Sequence, residues 1–116
     1  MRRPSAFFAA LLTSLVLSTG AYSHEEEWFQ GGSLHAGTVA DWNRASYPNR
    51  LATSADWALA SKNVEQLVRE SGDIETLKPF AEQLLGCIDR ISHTDGVIDE
   101  TQTIRVASAC MAHMGW

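Results

Sequence analysis

Lysine and arginine are scarce: nine stand against fourteen aspartates and glutamates in 116 residues, and two of the nine, Arg2 and Arg3, sit at the extreme N-terminus. Nucleic-acid affinity rests on clustered cations that neutralise phosphates, and anionic membrane surfaces make the same demand. The charge balance therefore argues against both, and a basic partner, or none, is the better fit. Beyond residue 23 no apolar run approaches the roughly 20 residues of a spanning helix. Alternation of β-branched or aromatic residues with polar ones is also missing, so strands have no support. The chain carries neither a G-x-S-x-G elbow nor an H-E-x-x-H pair. The expectation is a protein without a cofactor and without catalytic chemistry.

What is present begins with a delivery segment. Arg2 and Arg3 precede the apolar run Ala6 to Leu17, and small residues lead to Ala21-Tyr22-Ser23, the pattern of a secretory signal peptide cleaved before His24. Residues 1–23 are read as this signal, residues 24–37 (HEEEWFQGGSLHAG) as a flexible acidic and glycine-bearing leader, and residues 38–116 as one helical domain. The expected location is outside the cytoplasm, periplasmic if the source is bacterial and secreted otherwise. Cysteine occurs only twice, at Cys87 and Cys110. In an exported chain an even count reads as a disulfide, and a loop of this length is worth about 3 kcal/mol in the chain-entropy model.

The body of the chain reads as an all-α fold, a small bundle of four to five short helices pinned by one disulfide between the last two. Thr38 and Asp41 form a capping box opening a helix from Val39 to about Ser46. Pro48 suits the first turn of the next helix, where its missing N–H costs nothing. Leu51, Ala52, Ala55, Ala58 and Leu59 share one helical face and Val64, Leu67 and Val68 another, about half a turn away. One continuous helix would point one set at water. A break near Lys62 follows, with Asn63 to Gln66 as the new capping box, and Ser71-Gly72-Asp73 as its end. Leu77, Phe80, Ala81, Leu84, Leu85, Ile88 and Ile91 form a clean stripe for a helix starting near Thr76 or Leu77. Ile104, Ala107, Cys110, Met111 and Met114 mark the last helix. If that helix began at Asp99, the two cysteines would be offset by about 9 Å along their axes. A disulfide needs Cα atoms about 5.5 Å apart, so a start nearer Gln102 is expected.

The connection SHTDGVIDETQTI (92–104) superficially resembles a calcium loop. With Gly96 in the sixth position, however, the first and twelfth positions hold Ile91 and Gln102, where a calcium loop needs an acid and a bidentate glutamate. It reads as an elbow between helices. Copper is a weaker candidate ligand: cleavage would make His24 the terminal residue, whose amine and imidazole together can chelate, with His35, His93 or His113 adding a nitrogen. Met111 and Met114 offer soft sulfurs, but at this spacing core filling is the ordinary role of methionine.

Asp41-Trp42 and Asp56-Trp57 repeat an acid followed by tryptophan on successive helices. These four residues are the candidate partner surface, since tryptophan commonly anchors protein interfaces. In size, acidity, helicity and disulfide count, rather than in any motif, the chain resembles the HdeA-like acid-stress chaperones of the periplasm. It also resembles the small helical immunity proteins of that compartment. NRLATSADWALA (49–60) and KPFAEQLLGCID (78–89) have the look of family signatures. The first resemblance implies a protein that loosens in acid and binds clients. The sequence thus predicts a small exported interaction protein, with an acid-activated chaperone as the alternative and a copper carrier as a third.

Overall fold

A computed structural model describes residues 27–116; the signal segment and His24 lie outside these residues. Five α-helices follow in order: α1 (Val39–Arg44), α2 (Tyr47–Leu59), α3 (Lys62–Ser71), α4 (Lys78–Ser92) and α5 (Thr103–Met114), with a 3-10 turn (Ile74–Leu77) running into α4. No strand occurs among the described residues; one isolated antiparallel bridge joins Thr38 and Gln102.

Local chemistry sets most of these limits. Thr38 and Asp41 make the expected reciprocal capping box on α1. Ser46 caps α2 by accepting from the Asn49 amide, and Pro48 lies in its first turn. The break between α2 and α3 falls where the change of buried face requires it. Its cap, however, is the Ser61 hydroxyl accepting from the Val64 amide, not the anticipated box at Asn63. Gly72 ends α3 in the left-handed region at φ 69°, which glycine enters without Cβ strain. The 3-10 turn supplies the entry to α4, so Leu77 there needs no side-chain cap.

Helix α4 is the centre of the fold, packed by α2 on one side and α5 on the other. Its buried stripe is Leu77, Ala81, Leu84, Leu85 and Ile88, with Phe80 and Ile91 half-buried at its ends. On α5 the inward face is Thr103, Val106, Ala107 and Cys110, and Ile104 points outward, 37% exposed. The inward face begins one residue earlier than expected, at Thr103 instead of Ile104, a rotation of about 100° at its start, because that start is set by a long-range bond rather than by periodicity. The Thr103 amide donates to the Gly37 carbonyl, while Val39 and Ala40 donate to the carbonyls of Thr101 and Asp99. The segments that precede α1 and α5 thereby supply acceptors for free N–H groups in the first turn of the other helix. This is why α5 begins at Thr103, and the Cys87 and Cys110 Cα atoms come within 6.1 Å in the resulting disulfide.

The segment read as a flexible leader is instead packed where it is described. Leu34 is buried, its amide donating to Thr53 Oγ1 at 3.3 Å, and the Ser33 amide donates to Asn49 Oδ1 at 2.9 Å. A Cβ on Gly32 would lie 2.5 Å from the Thr53 backbone nitrogen. Composition misled because glycine here serves close approach, not chain freedom. Residues 28–35 form a strap across α2, whose Ala52 and Thr53 leave room for it. Gly32→Ala is expected to destabilise the protein by about 1–3 kcal/mol through overpacking against backbone, measurable as a lower urea midpoint. An unchanged midpoint would show that the strap does not contribute.

Candidate functional site

The two tryptophans proposed as surface anchors are core residues. Trp42 is fully buried and Trp57 is 7% exposed. Their rings stack at 6.1 Å between centroids with an interplanar angle of 17°. The intervals that place them on α1 and α2 bring them face to face across the two helices. A buried indole needs an acceptor for its N–H, and Trp42 Nε1 finds Asp89 Oδ1 on α4 at 2.8 Å. The same carboxylate accepts Arg50 Nη1 from α2 at 2.9 Å to each oxygen. Asp89 therefore ties α1, α2 and α4 at one point, and removing its charge would leave the Arg50 guanidinium without its anion.

The acids of the tandem pairs have other partners than the indoles beside them. Asp41 accepts from the Thr38 amide at 2.9 Å and from Arg44 Nη2 at 2.9 Å. The Thr38 backbone bond, then its hydroxyl and Arg44, hold the Asp41 carboxyl below the ordinary aspartate range. Asp56 is exposed and meets His35 Nε2 at 2.8 Å, while the His35 ring stands edge-on to Trp57 at 5.8 Å. At the other end of the strap, Trp28 Nε1 donates to Glu75 Oε2 at 2.9 Å. Glu65, paired with Arg69 one turn on along α3, is likewise held low, mainly by that hydrogen bond.

The structure thus assembles one continuous arrangement: strap, stacked tryptophans and the carboxylates that fasten them. Sequence reasoning identified Asp41, Trp42, Asp56 and Trp57 but assigned them to a surface, and it did not single out Asp89, Arg50 or His35 as partners. The available signal was the buried-tryptophan requirement for an acceptor, with Asp89 flanking the α4 stripe. Cys87 and Cys110 are joined, as anticipated. Among the described residues no three His, Cys, Asp or Glu side chains gather closely enough to hold a metal. In the 92–104 elbow, the Asp99 and Thr101 carbonyls are engaged by α1 amides.

Compared with protein-family models, curated proteins and solved structures, the chain matches none of them.

Proposed function

We propose that this is an exported, non-enzymatic protein that binds other proteins through apolar surface uncovered in acid. The observation that carries this reading is that carboxylates fasten the outer layer to the core. Asp89 holds α1 and α2 to α4, Asp56 and Glu75 hold the two ends of the strap, and Asp41 caps α1. Beneath them lie Trp42, Trp57, Leu34 and Val39. Carboxylates as a class protonate near pH 4, which abolishes ion pairs and weakens hydrogen bonds accepted by the charged form.

The direction of the pH effect follows from Asp41 and Glu65. Both are held below their ordinary values in the folded protein, so their stabilisation is full above the unfolded-state value and lost as pH falls through the folded one. The whole-chain balance acts the same way. Residues 24–116 carry seven basic and fourteen acidic side chains, a charge of −7; with carboxylates neutral and four histidines charged it becomes +11. Self-repulsion then favours opening. The disulfide does not titrate, so α4 and α5 stay joined while strap, α1 and α2 loosen.

Tryptophan emission and binding of an apolar dye are expected to stay constant from neutral pH to about 4, then change together below about pH 3.5. At that pH the protein should suppress aggregation of an acid-denatured test enzyme. Asp89→Asn, which keeps an acceptor for Trp42 but loses the charge facing Arg50, should open at higher pH. A protein that opens without holding the test enzyme in solution, or stays closed to about pH 2, would refute the reading.

A further inference from the structure

A half-open pocket of about 320 Å³ lies at the seam between the strap's first turn and the start of α2, lined by Glu27, Trp28, Gln30, Ser46, Pro48 and Asn49 among others. Its chemistry selects a cation. The Glu27 carboxylate is the one formal charge among these six, and it makes no ion pair or side-chain hydrogen bond to another described residue. Glu25 and Glu26 precede it in the chain, adding acid to the same sequence neighbourhood. The helix that begins at the pocket offers an anion little. Pro48 has no N–H, and the Asn49 amide is already given to the Ser46 hydroxyl. The Asn49 side-chain amide donates one N–H to Ser33 Oγ, while its oxygen accepts from the Ser33 amide and from Thr53 Oγ1.

The apolar lining is the Trp28 indole and the Pro48 ring. Trp28 is held by its bond to Glu75, and Lys78 Nζ sits 5.6 Å from its ring centroid. The ring is therefore already one that attracts a cation, and Phe29 meets it edge-on at 5.5 Å between centroids. A planar, weakly hydrated guanidinium stacks on such a ring better than a compact ammonium does.

We infer that this pocket receives an arginine side chain from a partner protein at neutral pH, with Glu27 pairing the guanidinium and Trp28 stacking on it. The strongly acidic balance of the chain favours approach of such a partner. The site belongs to the closed form and stands independently of the acid-opening reading. Because strap and α2 both line it, an occupied pocket resists release of the strap.

The test is a titration of the isotopically labelled folded protein, followed by NMR, with a blocked Gly-Arg-Gly peptide. The same peptide with citrulline or lysine in place of arginine serves as comparison. Saturable shifts of the Trp28 indole and the Ser46–Asn49 amides are expected with arginine, with affinity about five-fold weaker for citrulline and for the Glu27→Gln protein. Lysine should bind more weakly than arginine. Non-saturating or dispersed shifts, equal response to citrulline, equal response to lysine, or an unaltered Glu27→Gln protein would each overturn the inference.

Discussion

Trp42→Ala is expected to lower the unfolding free energy by about 3–5 kcal/mol. The indole is fully buried, stacks on Trp57 and donates to Asp89. Alanine removes its packing, opens a cavity between α1, α2 and α4, and leaves Asp89 with Arg50 alone. Domains of this size have total stabilities of about 5–15 kcal/mol, so the variant should lose a large fraction of its stability. Urea denaturation followed by far-UV circular dichroism measures this without relying on the deleted fluorophore. A surface anchor would behave in the opposite way, losing partner affinity while stability changed by less than about 0.5 kcal/mol. That result would return Trp42 to the surface and remove the buried stack from the account of the fold. Trp42→Phe should fall between, because it keeps a ring for Trp57 but gives Asp89 no donor.

The second large effect concerns the disulfide. Replacing both Cys87 and Cys110 by serine is expected to cost about 3 kcal/mol, a fall in melting temperature of roughly 12–24 °C for a domain this small. The bond spans a sequence separation of 23 and joins the central helix to the last one. Between those helices lies the elbow, whose residues from His93 to Glu100 are exposed apart from half-buried Val97. Little apolar contact there constrains the unfolded loop, so the crosslink does. Both sulfurs lie on buried residues, and two serines in their place add polar groups to the core, which makes the loss larger. The double variant should also lose its tertiary structure completely in acid, where the crosslinked protein keeps α4 and α5 together. Thermal unfolding at neutral pH and hydrogen exchange at low pH check the two parts separately. A melting temperature within a few degrees of the parent would mean that packing of α4 on α5 suffices.

The same physical distinction separates what could be read along the chain from what could not. Periodicity is a local property, so the α4 stripe from Leu77 to Ile88 and the change of face between α2 and α3 were legible directly. Caps are local too: Thr38 with Asp41 needs only four residues, and Gly72 only one. Moving the break's cap from Asn63 to Ser61 changed a boundary and no packing. The offset of the two cysteines even implied the late start of α5, because helix rise and disulfide span are constants.

Contacts across the chain were not legible. Thr103 begins α5 because its amide reaches Gly37, more than sixty residues earlier, and that register turned Ile104 outward. Gly32 and Leu34 looked like leader because nothing near them in sequence shows that the small face of α2 will receive them. Trp42 and Trp57 looked like a pair of anchors because repetition of Asp-Trp is visible, whereas the acceptor for the indole, Asp89, lies 47 positions away. By itself, then, the sequence determined the helices, the Thr38–Asp41 and Gly72 caps, the crosslink and the acid excess, all properties of short spacings or of sums. Tertiary structure alone decided that Trp42, Trp57 and Leu34 are core and that Ile104 is surface. Burial depends on what folds over a residue, and here the strap and three helices converge on the tryptophans from distant parts of the chain.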